Sequence, residues 1–290
     1  MAWALVAAVA FGVTQTLNRK SNQLIGPYRT AFGLLVVVEA ALLALVIVSG
    51  EIDQLVGAPL WALASFSVAT LFHFGTGWTL LAVSQQRVGV ARTGALVSAA
   101  PLVGAIAAAL LLDEPLGLLT VVGVLVVVGG VALLSLSGYT RTEESRGRGV
   151  PWHALTVAGL WGLSPILIRR GLEGLPYPIL GLTIGLGVTV VIYGLGLTVT
   201  RSWGPRVPAR GLMWTVLGGL TGALAISAQW ISFNLTTIAI ALSLQQTAVL
   251  VVVALAPIMF REPIERLSSL LLVGTAAILV GTTLVVLQRN

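Results

Sequence analysis

The sequence predicts an all-α membrane protein with ten transmembrane helices, arranged as two inverted five-helix repeats. Its 290 residues are 57% hydrophobic and only 9% charged, whereas an average soluble domain has about 25% charged residues. Apolar stretches of about 20 residues, the length that crosses a bilayer as a helix, recur along the whole chain. Short motifs then recur in the same order in its two halves.

The apolar stretches are separated by short segments that carry Gly-Pro or Glu-Pro turns. Their full length, and the lack of alternating ten-residue segments, favour helices over a membrane barrel. The first stretch is followed by Asn18, Arg19 and Lys20 and by no small-residue cleavage site, so we predict a span and not a removed signal peptide. The predicted spans cover residues 2–17, 30–49, 59–83, 89–112, 116–138, 152–168, 177–200, 211–233, 238–260 and 266–288.

One polar segment near the middle of the chain, residues 139–150, predicts a linker between two repeats, residues 1–138 and residues 151–290. Because five spans are an odd number, the second repeat must enter the membrane in the opposite sense, which is a recurrent plan of secondary transporters. The recurring motifs are Phe11-Gly12 and Trp161-Gly162, Arg19-Lys20 and Arg169-Arg170, Glu114-Pro115 and Glu262-Pro263, and the glycine pairs Gly123/Gly130 and Gly274/Gly281.

With these motifs the chain resembles the drug/metabolite transporter superfamily, in particular its EamA-type ten-helix members. The small residues before Pro101 match the family's fourth span, whereas the second half has Gln246 to Val249 at that place. The resemblance covers nearly the whole chain and implies alternating-access transport of a small metabolite or amphipathic compound, usually export. It also implies a cavity lined by the first, third, fourth, sixth, eighth and ninth spans, but its short motifs do not identify the substrate.

The residues themselves agree best with a secondary transporter. No nucleotide-binding loop is present, so we expect coupling to a proton or a counter-substrate and no cofactor. A channel or a non-transporting scaffold is the alternative, although neither charged rings nor a carbonyl filter are evident. An intramembrane enzyme would need a Ser–His pair, paired acids or a metal cluster, so we expect no catalytic or metal-binding residues. The basic residues lie scattered between spans, which is not the pattern of a nucleic-acid binder.

Polar and aromatic side chains inside the predicted spans are the candidates for substrate binding. Unpaired amides are costly in lipid, so these residues should face inward. By the repeat, Ser98 is equivalent to Gln246, and Thr14 is equivalent to Ser164. The alternative is hydrogen bonding between helices and plain core packing. The candidates are Gln15, His73, Trp78, Ser98, Trp161, Ser164, Gln229, Trp230, Asn234, Gln245 and Gln246.

Two ionisable residues lie near the middle of spans, Glu39 in the second and His73 in the third. Such groups usually face a cavity or a partner, so we predict that they form a proton-coupling pair. The alternative is that each one bonds a neighbouring helix. In the resembled family the second span lies away from the cavity, which argues against Glu39.

Glu114 and Glu262 each precede a proline at a predicted helix start, where a carboxylate meets the positive end of the helix dipole. We predict a structural role for both. Pairs of glycines four residues apart, such as Gly181 and Gly185, predict close helix contacts.

The charge distribution predicts the orientation in the membrane, which we expect to be the plasma (inner) membrane. The segments after odd-numbered spans carry 13 of the 16 Lys and Arg residues. The positive-inside rule therefore places the linker in the cytoplasm and both termini outside. The resembled family is more often drawn with both termini in the cytoplasm, and we follow the charge count.

Overall fold

The protein is all-helical in its computed structural model, which describes residues 1–88, 90–137, 152–201, 203–204, 207–260 and 269–287. Helical segments make up 89% of the structure. A 3₁₀ helix at Glu51–Leu55 and a π-helix at Leu71–Thr76 lie between α-helices. The α-helices are α1 (Ala2–Ile25), α2 (Pro27–Ser49), α3 (Leu60–Thr70), α4 (Gly77–Val88), α5 (Val90–Val97), α6 (Ala100–Leu111), α7 (Leu118–Ser137), α8 (Trp152–Gly174), α9 (Pro178–Val199), α10 (Ala209–Leu235), α11 (Ile238–Gln245), α12 (Ala248–Phe260) and α13 (Ser269–Leu287).

Within the described residues, six helical segments are long and apolar enough to cross a membrane. Two further apolar helices, Leu118–Leu133 and Leu272–Leu287, are shorter. Helices α1 and α8 have 24 and 23 residues but carry more polar side chains. The predicted linker at 139–150 and Glu262 lie outside the described residues. The six segments are Pro27–Ser49, Leu60–Gln85, Thr93–Leu111, Pro178–Val199, Ala209–Leu235 and Ile238–Leu255.

Three predicted spans are interrupted in the structure, which the sequence did not predict. The third contains the π-helix, the fourth breaks at Ser98 and Ala99, and the ninth breaks at Gln246 and Thr247. At the two breaks, in the fourth and ninth spans, a hydroxyl donates to a carbonyl three residues back: Ser98 Oγ to Ala95 O and Thr247 Oγ1 to Leu244 O, both at 2.7 Å. Such bonds compete with the helical ladder, and Pro101 adds to the effect at the first break.

Several helices begin where glycine and proline fix the chain direction. Gly26 has φ = +84°, a conformation that glycine adopts without strain, and Pro27 then starts α2. Pro178 starts α9 in the same way. The Thr237 side chain accepts a bond from Ile240 N at the start of α11.

The helix contacts follow a reciprocal pattern. The first helix, α1, packs along α10 and against α12, while α8 packs along α3 and against α6. Helix α2 contacts α10, and α9 contacts α3. Helices α7 and α13 pack along each other, as do α2 and α9. Each of these contacts of the first half therefore has a counterpart made by the second half.

The core is packed around Phe66, whose side chain is fully buried. Its ring lies against Gly181 of α9 and its backbone carbonyl lies against Gly185, so neither glycine leaves room for a larger residue. Trp230 contacts the same ring, with 5.6 Å between ring centroids. The close approach predicted from the glycine spacing is therefore present.

Candidate functional site

The two broken helices meet the first helix of the opposite half at equivalent points. A side-chain carbon on Gly162 of α8 would lie 2.9 Å from Ala100 O, directly after the first break. A side-chain carbon on Gly12 of α1 would lie 2.7 Å from Ala248 O, directly after the second break. Gly12 and Gly162 are separated by nearly the same number of residues as Ala100 and Ala248, so the two contacts occupy matching positions in the two halves of the sequence. The glycines bring the backbones into contact, so each break is held by the other half.

Next to the first of these contacts lies the histidine cluster, which consists of His73, Trp161 and Ser164. His73 Nδ1 lies 3.1 Å from Ser164 Oγ. Trp161 Nε1 donates to His73 O at 3.0 Å, and the two rings stack with centroids 5.2 Å apart and planes 13° from parallel. Ser164 is buried, while His73 and Trp161 are only half-buried. The cluster therefore combines stacked, partly exposed rings with a buried hydroxyl group.

The π-helix explains how this cluster is held. Gly77 N donates to Phe72 O, five residues back, and His73 O accepts the bond from Trp161. Gly77 also leaves room for the indole, because a side-chain carbon there would lie 2.5 Å from Trp161 Nε1. Single π-turns are frequent at functional sites.

Aromatic rings extend the cluster along α4. Phe74 lies 4.6 Å from His73 and 5.3 Å from Trp78, centroid to centroid. Trp78 is half-buried, so part of its ring surface is accessible. Aromatic surfaces with a few polar groups suit amphipathic or aromatic ligands.

The equivalent place in the other half is polar but simpler. Thr14 Oγ1, which the predicted repeat relates to Ser164, lies 2.9 Å from Thr221 Oγ1 on α10. The predicted repeat would place the counterpart of His73 at Thr221. At this place the first helix of each half bonds a neighbouring helix through a hydroxyl, but the partner is a histidine in one case and a threonine in the other.

A pair of glutamines lies close to the second break. Gln229 Nε2 of α10 donates to Gln245 Oε1, the last residue of α11. Gln229 is buried, whereas Gln245 and Gln246 are half-buried. Ser98 stands at the first break and Gln246 at the second, and Ser98 is buried against Val128 O.

Gln15 has an exposed side chain on a polar face of α1. Arg19 and Asn22, four and seven residues further on, share that face and are also exposed. The exposed apolar residues Val6 and Leu24 are each nine residues from Gln15, about half a turn around the helix. Helix α1 therefore presents an apolar face and a separate polar face near its carboxyl end.

At the opposite end of the molecule Glu114 and Arg169 form an ion pair, with 2.7 Å between Oε1 and Nη2. Glu114 Oε2 accepts from Ile238 N at the start of α11, at 2.9 Å. Arg169 also donates to Asn234 O and Thr236 O. We call this group the Glu114–Arg169 latch, because it ties α8 to the turn between α10 and α11. The predicted interaction of Glu114 with a helix dipole is present, but the helix is α11 and not the one that follows Glu114.

Two of the candidate substrate-binding residues lie away from the two helix breaks. Trp230 is buried in the core against Phe66, and Asn234 is exposed at the latch end of α10. The expected coupling pair is not joined, since His73 bonds Ser164 and Glu39 Oε2 has no hydrogen-bond partner. The sequence analysis did not select Thr221 or Arg169 as site residues, although the basic pair Arg169-Arg170 after the sixth span stood out in the sequence. In the described part of the chain, no three His, Asp or Glu residues cluster as metal ligands would.

Comparison with known proteins gives the family. Residues 1–136 match the model of the EamA-like transporter family, which belongs to the drug/metabolite transporter superfamily. A solved crystal structure is similar at a TM-score of 0.77 and 18% identity, over 99% of this chain and 96% of that chain. A search of curated proteins found no significant match. The N-terminal part of the chain, residues 1–136, thus belongs to the EamA-like transporter family of the drug/metabolite transporter superfamily.

Proposed function

We propose that the protein is a secondary transporter that moves a small amphipathic metabolite by alternating access between two inverted five-helix repeats. One observation carries the proposal: two helices break at equivalent positions, and each break packs on a glycine in the first helix of the other half. Broken helices at mid-membrane depth characterise substrate sites of secondary transporters.

The ten-span inverted plan is supported by the helix contacts. Helix α1 meets α10 and α12 as α8 meets α3 and α6. On α7 and α13, Gly123 faces Gly281 and Gly130 faces Gly274, the arrangement expected of antiparallel equivalent helices. The family match over residues 1–136 also coincides with the first predicted repeat.

The end of the molecule at the carboxyl end of α8 fits the closed side of a carrier. Arg169 is held there in the latch with Glu114, which ties α8 to the start of α11. We interpret this end as closed, and the charge count assigns it to the outside of the membrane.

The substrate class follows from the side chains at the breaks. The stacked His73 and Trp161 rings would hold a flat apolar part, and Gln245 and Gln246 would hydrogen-bond its polar groups. Export is the direction implied by the family resemblance. His73 would accept a coupling proton, or the site would exchange one substrate for another.

A ligand screen by thermal shift on the purified protein, followed by counterflow in proteoliposomes, tests this function. We expect saturable counterflow of the compounds that raise the melting temperature. Gln15→Ala, His73→Ala, Trp161→Ala and Gln246→Ala should weaken binding, while Glu173→Gln, in an exposed ion pair, should not. Flux that does not saturate, or unchanged binding in all four variants, would refute the carrier site.

A further inference from the structure

A groove about 460 Å³ in volume lies between α2 and α9, away from the broken helices. Its rim consists of apolar residues that are exposed on the helix surface, such as Leu43 and Val191. In a helix bundle within a bilayer such residues face acyl chains, so the groove opens to lipid. The volume falls in the range of about 300–1,000 Å³ that is typical of small-molecule sites.

Glu39 supplies the one charged group among the residues that line this groove. Thr183 is the other polar side chain of the lining, and its hydroxyl already donates to Ile179 O at 2.8 Å. Glu39 Oε2 is buried and has no hydrogen-bond partner. The groove therefore offers a carboxyl oxygen whose bonding capacity the protein does not use.

The position of Glu39 makes this unsatisfied oxygen unusual. It lies about 18 Å along α2 from Pro27 and about 15 Å from Ser49, near the centre of the helix. Acidic side chains at such depth are rare and normally have a partner. Gly187 of α9 keeps space open beside it, because a side-chain carbon there would lie 3.1 Å from Glu39 Oε1.

We propose that this groove binds a lipophilic amine that enters from the bilayer and pairs its nitrogen with the Glu39 carboxyl group. Charge complementarity selects the occupant, because the lining contains an acid and no Lys, Arg or His. A neutral amine crosses the lipid and takes the proton of the carboxylic acid, giving an ammonium–carboxylate pair without net charge. The apolar lining, including Leu180 and Ile184, holds the hydrocarbon part.

This proposal goes beyond the carrier function, because the groove and the histidine cluster have no residue in common. The test uses the full chain in nanodiscs, and its ligand is dansylcadaverine, a fluorescent lipophilic amine. Its N-acetyl derivative has the same ring and chain, but its aliphatic amine is converted to a neutral amide. We expect saturable, blue-shifted fluorescence above that of empty nanodiscs, and affinity for the amide that is weaker by about tenfold or more.

Two variants and two controls assign the binding to the groove. Glu39→Gln removes the acid, and Gly187→Val fills the space beside it, so each should weaken amine binding by about tenfold. Gly196→Val on the same helix adds its side chain in open space and should bind like wild type, as should Gln246→Ala at the proposed substrate site. Gly187→Val keeps the test valid if Glu39→Gln does not fold.

Three results would overturn the proposal. Equal affinity for the amine and the amide would mean that the groove holds only apolar chains. No saturable binding to wild type would mean that the groove is closed, as it would be if a second copy of the chain covered α2 and α9. Unchanged binding in both Glu39→Gln and Gly187→Val would place the amine elsewhere.

Discussion

Gly162 lies where α8 touches the backbone that follows the first helix break, and substitution there should be costly. A side-chain carbon at this position would lie 2.7 Å from Val103 Cβ and 2.9 Å from Ala100 O, and the backbone atom cannot move aside cheaply. We expect Gly162→Ala to lower the unfolding free energy by about 1–3 kcal/mol, as overpacking typically does. Thermal unfolding of the purified protein in detergent measures the change.

Gly159 provides the matched control on the same helix, because nothing lies within 4 Å of its position for a side-chain carbon. Gly159→Ala should leave stability unchanged or raise it by up to about 1 kcal/mol, since alanine favours a helix. Equal melting temperatures for the two alanine variants would mean that α8 does not pack on this break.

The hydrogen bond from Trp161 to the His73 carbonyl can be tested with a single substitution. Trp161→Phe keeps an aromatic ring for stacking on His73 but loses the Nε1 bond to His73 O. We expect a loss of about 0.5–1.5 kcal/mol in stability, the usual worth of one such bond. Trp152→Phe, at an exposed position of the same helix, should have no effect on the melting temperature. A melting temperature of Trp161→Phe equal to that of wild type would contradict the bond.

The residues of the histidine cluster show what the sequence could and could not predict at this scale. His73, Trp161 and Ser164 were all selected as candidates, because polar and aromatic groups in a span stand out. Their mutual contact was not predicted, since it joins residues about 90 positions apart. Trp230 was selected for the same reason as Trp161 but is buried, because a side chain's direction depends on its neighbours in space.

At the scale of the helices, the Glu114–Arg169 latch should control one end of the bundle. Glu114→Gln removes the charge that holds Arg169 and weakens the link from α8 to the start of α11. We expect this end to open more often, by about tenfold if about 1.4 kcal/mol is lost. The chain has no cysteine, so a single cysteine at Thr236, now buried beside the latch, reports opening through its rate of maleimide labelling.

Glu173→Gln is the control for this experiment. Glu173 pairs with Arg170 at the same end, but both side chains are 52% exposed, and exposed pairs contribute little. It should leave the labelling rate at Thr236→Cys unchanged. Equal rates in Glu114→Gln and Glu173→Gln would show that the latch does not hold the end closed.

The helices themselves were largely predictable, since apolar stretches of span length occur throughout the sequence. The interruptions were not. Pro101 was a visible signal in the fourth span, but Gln246 and Thr247 contain no proline or glycine, and the packing of Ala248 on Gly12 joins residues far apart in the sequence. The π-helix at Leu71–Thr76 likewise has no clear sequence signature, and the bond from Trp161 to the His73 carbonyl joins residues that are also far apart in the sequence.

At the scale of the whole molecule, the motifs led to the family that residues 1–136 match. Such motifs can be recognised because they include residues that let helices approach, such as Gly123 and Gly281, which lie against each other. The substrate could not be read in this way, since glutamines, serines and indoles bind many kinds of small molecule.

The orientation of the whole molecule gives the last prediction. If ten helices cross the membrane, Asn22 and Asn234 lie on opposite sides, after the first and the eighth spans, and both side chains are exposed. The positive-inside rule assigns Asn22 to the cytoplasm. We therefore expect an impermeant maleimide to label Asn234→Cys in intact cells and Asn22→Cys only after permeabilisation, without background because the native chain lacks cysteine. The reverse result would place the latch end in the cytoplasm, and labelling of both from the same side would contradict the ten-span inverted plan.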